Sequence, residues 1–233
     1  MAKRVRIIVG ALAAVLAIGV GVYFLATADI KLIYRSDNIR VERVEPVPPE
    51  EQNRPHVDYL GITANQAFEQ SAVILSGTIR NVREATVFYN IDGLTGENPI
   101  TLFDMLVSDV VASTDRLPKK DVLTIGVGYN SSDYPYEHPF LEEGKSFVMF
   151  CVVNKDSEYD PLETAGYADL WVMNPRSLLF EEDRGALFVS DIFGDYIAAS
   201  GITATRDRFG YWVNKDAFLE ILKQKAAVFW PKY

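Results

Sequence analysis

Residues 72–82 read AVILSGTIRNV, and residues 147–153 read FVMFCVV. The first stretch is rich in β-branched side chains around a central Gly77, the composition of a strand rather than a helix. The second contains no polar or charged residue. A run that short and that apolar has both faces buried, as in a central strand or a barrel wall. Gly77 inside a strand suits a bulge or a tight corner. Gly144, which follows Glu142 and Glu143, permits a tight turn into the second stretch.

Working outward, more strands appear. Residues 86–91 (TVFYNI) end at Asp92-Gly93, a hairpin dipeptide. Ile100, Leu102, Asp104 and Leu106 then alternate with Thr101, Phe103, Met105 and Val107, and the run extends to Val111. Residues 122–129 (VLTIGVGY), 167–173 (YADLWVM), 186–189 and 210–213 read as further strands separated by charged turns. The acidic run Glu181, Glu182, Asp183 is read as one of those turns. Helical spacing appears twice. Thr63 is a candidate N-cap for residues 64–71, with Ala67 and Phe68 on one side and Glu69 and Gln70 on the other. Asn214 is a candidate N-cap for residues 215–227, where Phe218, Leu219, Leu222 and Ala226 make one apolar stripe. The predicted class is mainly β (α+β), with a short N-terminal and a C-terminal helix; the barrel arrangement of its antiparallel strands is what the resemblance below implies. No internal repeat is visible.

The N-terminus decides location. Lys3, Arg4 and Arg6 precede an uncharged run over residues 7–28, which Asp29 ends. A bilayer core needs ~20 apolar residues in a helix, whereas signal-peptide cores are usually ~7–15. Length favours an uncleaved transmembrane anchor; the small-x-small triplet Ala26-Thr27-Ala28 offers the alternative of a secreted protein cleaved after Ala28. No cysteine stands directly after the run, so a lipoprotein anchor is excluded. The cationic flank keeps residues 1–6 cytoplasmic and puts the C-terminal domain outside. Residues 29–58 carry Pro46, Pro48, Pro49 and Pro55 and read as a Pro-rich stalk. Ile39, Val41, Val44 and Val47 offer a second reading, an edge strand packed on the domain. Residues 59–233 form the β-rich extracytoplasmic domain.

Beyond residue 6 the chain has 20 Lys+Arg against 32 Asp+Glu, a net of −12. An acidic surface repels phosphate backbones, which excludes nucleic acid as an expected ligand. The single cysteine, Cys151, excludes an internal disulfide, so the fold stands on its core. Hydrophobic residues make up 48% of the chain, enough for one well-packed domain.

The order of SAVILSGTIRNV, TLFDMLVSDVV, DVLTIGVGY and PFLEEGKSFVMF resembles that of small extracytoplasmic bacterial proteins with an OB-like barrel of the netrin/TIMP-like type. Ala72, Ile74 and Gly77 match the opening strand of that pattern. Pro139, Leu141, Gly144, Phe147, Val148 and Phe150 match its later segment, with Phe147 in place of a Tyr. The stretch DAFLEILK resembles the closing helix. The resemblance covers residues 72–153 and implies a barrel with a binding or sensing role. Animal members inhibit metalloproteases through disulfides and an N-terminal cysteine; this chain has neither, so that activity is not implied.

Candidate chemistry is thin. Cys151 lies in an apolar strand, unlike a reactive thiol, which needs an electropositive and partly exposed setting. His56 and His138 are too few for a His-based zinc site. Asn154, Asp156, Glu158 and Asp160 alternate like oxygen ligands for calcium, but Tyr159 and Ala165 stand where an EF-hand needs Gly and Glu. No cofactor is expected. Asn130-Ser131-Ser132 is a glycosylation sequon only in a eukaryotic secretory pathway. The surface clue is the loop YNSSDYPYEHPF. Tyr129, Tyr134, Tyr136, His138 and Phe140 are the expected partner-binding residues, since tyrosines in a polar loop suit a protein, peptide or glycan; the other reading packs these rings over the barrel mouth. The expected function is a membrane-anchored binding protein without catalytic activity. The alternative is a cell-envelope hydrolase with an unrecognised carboxylate pair.

Overall fold

A computed structural model describes residues 31–48, 61–114, 117, 119–130, 141–153, 166–172, 174–182 and 185–230. The chain forms β1 (Leu32–Arg35), β2 (Ile39–Arg43), α1 (Ala64–Glu69), β3 (Val73–Ile91) and β4 (Leu94–Ser113). It continues through β5 (Val122–Val127), β6 (Ser146–Val153), β7 (Leu170–Val172), β8 (Leu178–Glu182) and β9 (Ala186–Ser190). It closes with α2 (Gly194–Ser200), β10 (Ala204–Arg206), β11 (Gly210–Asn214) and α3 (Lys215–Phe229). The class is mainly β, as the sequence predicts, and the strands form one large sheet accompanied by a few helices.

Asp92 and Gly93 form the two-residue turn of a very long hairpin. Both have positive φ, 51° and 81°, the requirement of a type I′ turn. The strands it joins, β3 and β4, have 19 and 20 residues, several times the usual length of about 5–6. Each therefore serves two sheet regions. The sequence reads residues 72–82 and 86–91 as separate strands, whereas the structure runs them together through a bulge. Pairing steps from Arg80↔Asp104 to Arg83↔Leu102, and Asn81 takes φ 50° there.

On one side of the bulge, β3 pairs along one edge with β4 and along the other with β6, from Val73↔Cys151 to Thr78↔Ser146. β4 pairs with β5, β5 runs parallel to β7, and β7 returns to β6. The pairings close a circuit, β3–β4–β5–β7–β6–β3. Alternate residues fill it: Val73, Leu75 and Ile79 from β3, Phe103 and Met105 from β4, and Phe147, Met149 and Cys151 from β6. The intervening Ile74, Val148 and Phe150 face outward into a second core. The uninterrupted apolar run of β6 is thus explained, because each of its faces meets a different core.

That second core lies under the helices. β8, β9, β11 and β10 extend the sheet beyond β6, and Leu179, Leu187, Val189 and Val213 present one face to α1, α2 and α3. Asn214 caps α3 by accepting from the Ala217 amide at 3.0 Å. Thr63 caps α1 in a box with Gln66, each side chain accepting from the other's backbone amide. Phe68 of α1 is completely buried against Phe150 (5.1 Å, edge-on) and Phe229 (5.2 Å, stacked). The Trp230 indole donates to the Phe68 carbonyl at 3.0 Å.

On the other side of the bulge, β3 and β4 project as an arm completed by β2 and β1. Ile39 and Val41 are buried against Ala85 and Val87, so residues 39–43 form a strand packed on the domain, as in the second reading, though between β1 and β3 rather than at an edge; residues 49–60 lie outside the described ones. The arm's third core also holds Ile100, Leu102, Tyr167 and Trp171. Along β4 the edge before Thr101 has no strand beside it among the described residues, and Pro99 removes a donor from it. Two further corrections concern the C-terminal half. Glu181 and Glu182 end strand β8 instead of forming a turn, because Lys215 holds Glu181 in a half-buried ion pair at 2.6 Å. α2 escapes the sequence pattern because no side-chain cap bond marks its start. The apolar run 7–28 lies outside the described residues, and no described helix is long and apolar enough to cross a membrane.

Phe150 touches Phe68 and Phe193 with no exposed surface. Its replacement by Ala should cost ~3–5 kcal/mol through the cavity left behind, measured as a lower midpoint in urea unfolding at unchanged slope.

Candidate functional site

An aromatic row crosses the C-terminal sheet. Phe180↔Phe188, Phe188↔Trp212 and Trp212↔Thr205 are directly opposed on β8, β9, β11 and β10. Opposed residues of antiparallel strands share a face. Their neighbours Leu179, Leu187, Val189 and Val213 point the other way, into the helix-covered core, so the row lies on the opposite face, which no described helix covers. The three rings are half-buried. Trp212 stands edge-on to Phe188 at 5.3 Å and to Phe180 at 6.4 Å. Gly210 makes room for this: a Cβ there would meet the Phe188 ring at 2.8 Å. Phe180 also touches Phe147 at 5.6 Å, which links the row to the interior of the five-strand circuit. Lys145 lies over the Phe180 ring at 5.9 Å. The row therefore combines apolar rings, an indole and one ammonium group on a sheet face that no described helix covers, a combination suited to stacking and cation–π contact.

A polar cluster holds the bulge at the base of the arm. Asp104 accepts from Arg83 at 2.7 Å and Thr124 at 3.1 Å with one oxygen, and from Asn81 at 2.8 Å with the other. Glu143 accepts from the Val82 amide at 3.1 Å. Asp169 accepts from the Thr124 amide at 3.0 Å and from Lys120 at 2.8 Å. Each carboxylate is spent on neighbouring donors, and the strained Asn81 sits at the centre. The cluster works as a pin for the bend.

A third feature is a recess of about 240 Å³ at the free end of the arm, bordered by Arg35, Asn38, Arg40, Phe88 and Asn90. Arg40 lies over the Phe88 ring at 4.8 Å and pairs with Glu42 at 3.1 Å.

Of the residues expected to bind a partner, Tyr129 is only 1% exposed and belongs to the core of the circuit. Its carbonyl accepts from Thr101 at 2.6 Å. Tyr129 is thus a packing residue, because the strand it follows ends inside the circuit. Tyr134, Tyr136, His138 and Phe140 lie outside the described residues, as do the acidic residues of 154–165. Cys151 is fully buried, and burial pushes its thiol above the usual range. Among the described residues no group of three or more His, Cys, Asp or Glu is placed to hold a metal ion. The aromatic row leaves only a scattered signal in the sequence: LLFEE, ALFVS and GYWVN each carry an aromatic third residue. Only the register shows that the three coincide.

Compared with protein-family models and with curated proteins, the sequence matches none.

Two outcomes check this description. Cys151 should resist a maleimide in the native protein and become labelled only in denaturant, followed by mass spectrometry. Asp104→Ala leaves Arg83 and Asn81 without their acceptor; it should lower stability by about 1–2 kcal/mol, allowing for the partial exposure of the cluster.

Proposed function

We propose that this chain is a membrane-anchored, extracytoplasmic binding protein whose contact surface is the Phe180–Phe188–Trp212 row. Residues 7–28 are its single transmembrane helix, with the N-terminus cytoplasmic. The observation that carries the binding role is the row itself: three aromatic rings from three strands remain partly exposed on a sheet face that no described helix covers. Rings left at a surface bring large contact area at small entropic cost, which suits a peptide, glycan or protein partner in the envelope.

We further propose that the five-strand circuit is an OB-like barrel. The closed pairing supports this, with one parallel contact between β5 and β7 and all others antiparallel. So does the apolar interior it encloses. Tyr134, Tyr136, His138 and Phe140, which lie outside the described residues, are proposed as further partner-binding residues on the strength of their sequence alone, tyrosines in a polar loop.

The test is recovery of partners from detergent-solubilised membranes with the full chain as bait. Trp212→Ala should abolish recovery of partners that the unaltered chain retains, while the melting temperature falls by only a few degrees. Unchanged recovery removes the row from the binding surface. A collapse in melting temperature would assign Trp212 to the core instead.

A further inference from the structure

The proposed anchor ends at residue 28, and β1 begins at Leu32. Four residues span at most about 14 Å fully extended, of which the headgroup layer takes up about 5–7 Å. On the anchored reading above, on which this inference rests, β1 therefore starts at the membrane surface. The chain has no length for a spacer between the bilayer and the sheet.

β1 is an edge strand, paired with β2 on one side and, among the described residues, with no strand on the other. With the residue before it, its sequence is KLIYR. Cations stand at both ends and Leu32 is 36% exposed, while the Tyr34 ring turns to the arm's own core against Tyr167 at 5.6 Å. Lys and Arg settle at headgroup level, with apolar stems along the hydrocarbon boundary and charged ends in water. At the free end of the arm, Arg35 and Arg40 border the recess described above. Leu94, just past the β3–β4 turn, is 73% exposed. Charge agrees with this placement. Residues 31–48 and 81–102 balance five cations against six carboxylates, Asp37, Asp92 and Glu97 among them, whereas the rest of the chain beyond residue 30 carries a net −10. An anionic leaflet repels the arm least and the remainder of the domain most.

We infer that the arm lies along the headgroup layer, with Lys31, Arg35 and Arg40 against lipid phosphates and Leu94 in the interfacial zone. The domain is then seated on the bilayer in a fixed orientation, with α3 held away from it. α3 packs at the opposite end of β4, against the core that contains Val111.

The full chain, reconstituted into vesicles of equal parts phosphatidylcholine and phosphatidylglycerol, tests this. A fluorophore is placed on Asp37→Cys, in the β1–β2 turn, or on Glu220→Cys, on the exposed side of α3; buried Cys151 stays unlabelled. A nitroxide on the lipid headgroups should quench the label at position 37 several-fold more than that at position 220. Arg35→Gln with Arg40→Gln should reduce quenching at position 37 toward the level at 220, with the circular dichroism spectrum unchanged. Equal, weak quenching at both positions in a chain that floats with the vesicles would overturn the seating and leave the anchor standing. A chain that does not float removes the anchor and the seating together.

Discussion

A Cβ on Gly77 would sit 2.4 Å from the carbonyl oxygen of Leu106. No side chain fits at that distance, so β3 and β4 can approach there only because residue 77 is glycine. The pairing shifts register at this point, between Ser76 and Gly77, which bends β3 enough for its other edge to meet β6. Closure of the circuit depends on that meeting. With β3 bonded on both edges, Val73, Leu75 and Ile79 are enclosed rather than left on an open face, and the interior can be filled by Phe103, Phe147 and Met149.

The second bend, at Asn81, divides the same two strands between a closed circuit and a projecting arm. It is held by polar rather than apolar contacts. Three donors converge on Asp104, and Glu143 reaches across to the Val82 amide. A bulge leaves backbone groups without ladder partners, and here a carboxylate from a neighbouring loop meets one of them. The arm then turns its inner face to Trp171, whose ring lies against Gly126: a Cβ there would meet it at 2.6 Å. Two glycines and one acidic cluster thus fix how three cores share one continuous sheet.

Much of this is written in local sequence. The Asp92-Gly93 turn, the caps at Thr63 and Asn214, the doubly buried β6 and the buried Cys151 each follow from a few adjacent residues and a period of 2 or 3.6. What stays hidden depends on partners far away in the chain. Glu181 and Glu182 read as a turn until Lys215 is placed beside them. Tyr129 reads as a loop residue until the circuit closes around it. The aromatic row needs the registers of three strand pairs at once, and no single segment announces it. The strand and stalk readings of residues 29–58 share one pattern, because proline and apolar β-branched residues occur there together; the burial of Ile39 and Val41 places residues 39–43 in a strand, between β1 and β3 rather than at an edge.

The indole of Trp230 bonds to the carbonyl of Phe68, 162 residues earlier. Phe229 stacks on the same Phe68 ring, and that ring also holds Phe150 of β6. During synthesis the pocket around Phe68 therefore stays open until residue 230 has left the ribosome and passed the exit tunnel. The circuit can pair earlier, since β3 to β7 end at residue 172, but its outer apolar face must wait. A chain with such distant closing contacts is expected to fold slowly, and its late-forming surface is the natural point at which a chaperone would hold it.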